Sequence, residues 1–318
     1  MNTVIGAVLV CEGVEKLVVV DNVKHDSSFT LLSIGTRASH DIALWDIQRS
    51  HLEFSVDVGH SVDFAVISVP SNMVVCGSAD SGVVVTISLT SGSVDRTSKA
   101  KGYCGMADMA ISVNSIFIAT PASGVVVLSL TQDVVTGSLQ DPDGPSVPTK
   151  LLVSSRNDGQ LIVGYKHGLV HIFNVDTETV ICSMSGHSAR VTSLHLLPSG
   201  QLISAADDQS AIIWNSQLPG DQQPGNEFAG MSRMCEGPET GDEVLCSSWE
   251  SEECYDAICY TVNSTQHLLY AGFICGVVKV WNIDTGQSHF MFTHLYTWCA
   301  KKNRIIFKSY RTSSYVII

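Results

Sequence analysis

Six segments of the chain share one pattern. Turn residues lead into a short stretch in which apolar and polar positions alternate, with a large side chain near its middle. They are HDIALWDIQ around Trp45, SGVVVTISL around Ile87, SGVVVLSL around Leu128, HGLVHIFNVDT around Phe173, QSAIIWNSQ around Trp214 and CGVVKVWNIDTG around Trp281. A period of two is what a strand demands, because successive side chains point to opposite faces. A second strand-like run precedes each: FTLLSIG, NMVVCGS, SIFIATP, GQLIVGY, GQLISAA and HLLYAGF. These runs end in small residues suited to a hairpin turn. Another run often comes earlier, as in VTSLHLL and DAICYTV, and one more follows, as in HLEFSVDV and VICSMSG.

The steps between successive large residues are 42, 41, 45, 41 and 67 residues. Four short strands recurring every ~40 residues are the pattern of propeller blades, each of which buries its faces only by stacking on its neighbours. The expected fold is therefore all-β, a β-propeller of six or seven four-stranded antiparallel blades within residues 1–294. The excess in the last step falls in Asn215–Val244, which is rich in Pro, Gly and Glu and has no strand pattern. An acidic loop insertion at about 216–248 is expected there. Residues 295–318 form a basic tail that matches no repeat. Its runs RIIFKSY and SSYVII, with the opening TVIGAVLV, would supply an irregular seventh blade; without them the ring is incomplete at its C-terminal end.

One repeat is sharper than the rest. GHSARVTSLHLLPSGQLISAADDQSAIIWN, Gly186–Asn215, opens on Gly-His and closes on Trp-Asn. In this it resembles the WD-repeat family of β-propellers, as LWDIQ and VWNIDTG do more faintly, and the resemblance extends over roughly Val18 to Phe292. It implies a buried hydrogen-bond network of His187, Ser204, Asp208 and Trp214. Six residues before the other markers stand Ser39, Ser81, Ala122, His167 and Cys275, so only this repeat keeps the whole set. Apolar packing is expected to hold the other blades. The resemblance also places partner contacts just after the Gly-His pair and in the turns before the strands bearing the large residues, at Arg190, Ser188, Asp207, Arg37 and Lys166.

Composition narrows the function. Apolar residues make up 45% and charged residues 15%, so a large core is within reach. The net charge of −13 argues against a general nucleic-acid binder, which needs clustered Lys and Arg. The charge is uneven: ten carboxylates and the single base Arg233 lie between Asp221 and Asp256, whereas five bases and no acid follow Leu295. No apolar stretch is long enough for a membrane span, and the short apolar run near Met1 lacks a leading basic segment, against a signal peptide. Ten scattered cysteines, several in apolar runs (Cys76, Cys182, Cys275), fit buried thiols in a reducing, cytoplasmic setting.

Candidate chemistry is thin. His187, Ser204 and Asp208 have the residue types of a hydrolase triad, yet no G-x-S-x-G elbow accompanies them. The cysteines include no C-x-x-C pair and the histidines are spread one or two per repeat, so no metal is expected. Phosphate-binding glycine motifs are absent, and with them any nucleotide cofactor. Ser247, Ser248 and Ser251 sit among carboxylates, as targets of an acid-directed kinase do. The expected role is a non-catalytic interaction scaffold for proteins or peptides, its oligomeric state open. The alternative is a regulatory propeller of a larger signalling chain carrying a nucleotide-switch ATPase or kinase.

Overall fold

The computed structural model describes residues 14–21, 29–35, 40–46, 49–99, 101–130, 132, 134–142, 144–154, 159–197, 199–208, 210–214, 231–235, 257–263, 267–273, 278–284 and 288–292. Arg37, the tail 295–318 and most of the acidic stretch lie outside them. The described residues form six four-stranded antiparallel sheets, as the repeat pattern requires. The first three are β1 (Val14–Asp21), β2 (Phe29–Gly35), β3 (Asp41–Asp46) and β4 (His51–Asp57); β5 (Phe64–Ser68), β6 (Met73–Ser78), β7 (Val83–Ser88) and β8 (Val94–Lys99); and β9 (Asp108–Ile111), β10 (Ser115–Thr120), β11 (Gly124–Ser129) and β12 (Val135–Leu139). The others are β13 (Pro148–Val153), β14 (Gln160–Tyr165), β15 (Val170–Asn174) and β16 (Thr179–Met184); β17 (Val191–Leu196), β18 (Leu202–Ala206), β19 (Ser210–Trp214) and β20 (Met231–Cys235); and β21 (Ala257–Asn263), β22 (Leu268–Phe273), β23 (Val278–Asn282) and β24 (Ser288–Phe292). Every large residue of the repeat pattern falls in the third strand of its sheet, and every preceding run in the second.

One expectation is corrected. Met231–Cys235, assigned to a strandless loop by its composition, is the fourth strand of the fifth sheet, paired with β19 from Ser210↔Cys235 to Trp214↔Met231. Fourth strands elsewhere show why composition misleads at this place. β8 is largely exposed, while β6 and β7 beside it are buried almost throughout. An outermost strand is held by its ladder hydrogen bonds and needs little apolar signal.

The chain divides into two compact units, Met1–Val153 and Ser154–Ile318, the boundary falling after β13. In the first unit, alternate residues of one strand serve different neighbours. Val74 and Cys76 of β6, with Val83, Val85 and Ile87 of β7, pack on Leu32, Ile34, Ile42 and Leu44 of the first sheet. The residues between them, Val75 and Val84, join Met109, Ile116, Ile118, Val126 and Leu128 of the third sheet. Both faces are covered, which is why these strands read as near-continuous apolar runs. Full burial of each such side chain is worth roughly 1.5–3 kcal/mol. In the second unit Ile203, Ala205, Ala211 and Ile213 pack likewise on Leu269 and Ile283 of the last sheet. There β14 approaches β17 closely enough that a side chain at Gly164 would overlap Val191.

The cysteines fit only in part. Cys76 is buried in the core, and burial pushes its thiol far up; Cys182 is half-buried, its thiol raised by burial to about 11. Cys104 is exposed, and Cys275 lies outside the described residues.

Candidate functional site

The loop between β16 and β17 carries His187, and the turn between β18 and β19 carries Asp208; antiparallel pairing brings both to the same end of the fifth sheet. Ser204 and Trp214 project from β18 and β19, whose register pairs Ser204 with Ile212 and Leu202 with Trp214. All four predicted network residues meet. His187 Nε2 lies 2.8 Å from Ser204 Oγ, and its Nδ1 lies 3.1 Å from Asp208 Oδ2. Trp214 Nε1 donates to Ser204 Oγ at 2.9 Å. With Asp208 ionised, Nδ1 carries its proton toward the carboxylate. The Ser204 hydroxyl then donates to Nε2 while accepting from Trp214, so every polar atom in the row is used.

Asp208 anchors the loop as well as the ring. Its carboxylate accepts from the Ser188 amide at 2.9 Å, from the Ser210 amide at 3.1 Å and from Ser210 Oγ at 2.7 Å. Burial alone would raise this carboxyl. The hydrogen bonds from His187, Ser210 and the Ser188 amide outweigh it and hold the group well below the usual carboxylate range. Ser210, almost wholly buried, was not expected in the network. Its only signal in the sequence is a short hydroxyl two residues after the acid, where a side chain turns back to its own loop.

The order Ser204–His187–Asp208 reproduces the connectivity of a hydrolase triad, but not its access. Ser204 is 0% exposed, and its oxygen is engaged by both His187 and Trp214. An attacking nucleophile must reach a carbonyl carbon, and this oxygen meets only protein. The geometry gives these residues a structural role: they satisfy buried polar groups that would each cost ~1–3 kcal/mol if left unpaired.

Two traces of the same device occur in the first unit. Trp45 Nε1 donates to Ser33 Oγ at 2.8 Å, joining β3 to β2 as Trp214 joins β19 to β18. In the second sheet Asp63 takes the holding part, its carboxylate accepting from the Ala79 amide at 2.8 Å, while Ser61 and Ser78 share a hydrogen bond of 3.0 Å. Substituting Ser33→Ala removes the bond from Trp45 Nε1 and the one the Ser33 hydroxyl donates to the Ala43 carbonyl, and should cost about 1–2 kcal/mol. Chemical denaturation followed by tryptophan fluorescence checks it, and an unchanged midpoint would refute the parallel.

Around the network, three segments meet at one end of the second unit. The turn from Tyr165 to Leu169 closes with Gly168 at φ +93°, and a Cβ there would stand 2.3 Å from the His187 carbonyl oxygen and 3.0 Å from that of Ala189. The Asp207 amide donates to the Arg190 carbonyl at 2.9 Å. Lys166, Ser188, Arg190 and Asp207 are exposed on this frame, and so is His167, which the sequence reading did not select. Arg37, the remaining predicted contact, lies outside the described residues. Among the described residues no three His, Cys, Asp or Glu side chains gather as a metal site would require.

No family model matches the chain. Over 103 residues it is 30% identical to the WD repeat-containing protein slp1 of Schizosaccharomyces pombe, a match that covers 30% of this chain and 21% of that protein. The chain thus spans about a fifth of that relative's length. Among solved structures, the Cps50 (Swd1) β-propeller domain of Myceliophteria thermophila superposes with a TM-score of 0.68 at 14% identity, over 87% of this chain and 86% of that one. The computationally designed Ika8 protein superposes with a TM-score of 0.61 at 19% identity, over 88% of this chain and 74% of that one.

Proposed function

We propose that this chain, a β-propeller of the WD-repeat kind, is a non-catalytic scaffold that holds other proteins or peptides through the loops at the ends of its blades. The observation that supports this most directly is the frame just described. A buried network with depleted access for chemistry fixes the backbone of loops whose outward side chains, Lys166, Ser188, Arg190 and Asp207, are exposed. Loops on a rigid support are where recognition residues are found. No helix among the described residues is long and apolar enough to cross a membrane. The net charge of −13 supports a protein rather than a nucleic-acid partner, and cysteines scattered through apolar runs, Cys76 buried among them, support a cytoplasmic setting.

Arg190 is the residue on which the reading is tested. Arg is favoured at interface hot spots, where truncation costs at least ~2 kcal/mol, roughly thirtyfold in affinity. Co-purification from cells with wild type and Arg190→Glu should lose specific partners in the variant at unchanged melting temperature. An identical partner set for both proteins would remove Arg190 from the interface; if charge reversals at Lys166 and Asp207 also left it identical, the scaffold reading of this end would fall.

A further inference from the structure

We infer that the partner bound at this end is an acidic peptide segment, one whose Asp and Glu side chains meet Lys166, His167 and Arg190. The inference rests on the scaffold reading and adds the chemistry of what is bound.

Charge is unevenly distributed in the second unit. Lys166 and Arg190 are the two Lys or Arg residues there whose side chains are described, and both stand at the end bearing the β14–β15 turn and the β16–β17 loop. They do so because the close approach of Gly168 to the His187 and Ala189 carbonyls seats one segment directly against the other. His167, exposed beside Lys166, adds a third group that is cationic when protonated. None of the ion pairs among the described residues involves Lys166 or Arg190.

The carboxylates are arranged the other way. Asp176 and Glu178 lie in the β15–β16 turn and Asp284 follows β23, at the opposite ends of their strands. At the cationic end Asp208 is turned inward, its oxygens taken by His187, Ser188 and Ser210. That leaves Asp207 as the exposed acid among the described residues of this cluster. In a chain of net charge −13, a local excess of cations held on stiff turns is an exception to the surrounding field. Such a patch attracts an opposite charge and repels a like one, which sets partner choice and association rate. An extended acidic segment fits better than a duplex, whose phosphates would also meet the acidic remainder of the surface.

Binding of fluorescein-labelled synthetic peptides to the full chain, read by anisotropy, tests this. A short Glu-Gly-Ser peptide should bind, whereas a Lys-Gly-Ser peptide of equal length should not. Affinity for the acidic peptide should fall as salt rises and drop at least tenfold in the Lys166→Glu/Arg190→Glu double variant. Both replaced side chains are exposed, so melting temperature should stay that of the wild type. The control Asp176→Lys/Glu178→Lys, at the other end, should change nothing. Equal affinity for acidic and basic peptides, or indifference to the double reversal, would overturn the inference. So would a single-stranded oligonucleotide that binds the same residues more tightly than the acidic peptide. If Arg190→Glu loses cellular partners yet no acidic peptide binds, the scaffold reading survives and the acidic partner does not.

Discussion

Asp208→Ala should unfold at a temperature on the order of 10 °C below wild type, the largest single effect expected in the chain. Removing the carboxylate leaves several buried donors desolvated and unpaired at about 1–3 kcal/mol each, a loss of about 3–5 kcal/mol together. For a unit of this size each kcal/mol shifts the midpoint by roughly 2–4 °C. Here the abandoned partners are His187 Nδ1, the Ser188 amide, and the amide and hydroxyl of Ser210. Calorimetry measures the shift, and a variant within 2 °C of wild type on that scale would show the network to be ornamental.

The same residue sets a pH dependence whose direction is determined. Its folded pKa lies below the unfolded value of about 3.9. The ionised form therefore stabilises the fold in full above that pH, and the contribution fades as pH falls from about 4 toward the folded pKa. Wild type should lose stability faster than Asp208→Ala on acidification below about pH 4, so the two denaturation curves converge. Parallel curves would mean that the carboxylate is no better held in the folded state than in the unfolded one.

Gly168→Ala is the second large effect, expected at about 2–4 kcal/mol, with loss of partner binding in step. Two costs add. The φ of +93° lies where side-chain-bearing residues are strained by of order 1–3 kcal/mol. A Cβ would also stand 2.3 Å from the His187 carbonyl oxygen and 2.8 Å from its carbon. These are backbone atoms, unlike the flexible Met109 sulfur that a Cβ at Gly77 would meet, so the loop itself must move. The loop that moves carries Ser188 and Arg190. Thermal unfolding and partner capture should fail together in Gly168→Ala, whereas Arg190→Glu separates them. A stable Gly168→Ala that still bound partners would deny the coupling of the two turns.

What could be seen in the sequence follows from which positions burial constrains. Second and third strands were legible because they are covered on both faces and must stay apolar, as in β6, β7, β18 and β19. Met231–Cys235 was not, since its place in the sheet asks only for backbone pairing. The His187–Ser204–Asp208–Trp214 set was legible because a hydrogen-bonded network needs fixed residue types at fixed offsets. Its partial copy was hidden by a longer turn: Ser33 stands twelve residues before Trp45, whereas Ser204 stands ten before Trp214. Comparing repeats at a constant offset from the large residue passes over it, although the strand register is the same. Ser210 was overlooked because a serine entering a strand looks like part of the turn. The juxtaposition of Lys166 with Arg190 depends on a backbone approach that no spacing rule encodes.

The odd-and-even division of β6 and β7 between two neighbouring sheets bears on how such a chain tolerates change. Val74 and Val75 are adjacent in sequence yet belong to separate interiors. A volume change at one is answered by compensating changes in the sheet on that side, and the other side need not register it. Substitutions can accumulate sheet by sheet in this way without a common motif surviving. Double-mutant cycles would show it as coupling between Val74 and Leu44, and near-additivity between Val74 and Ile118.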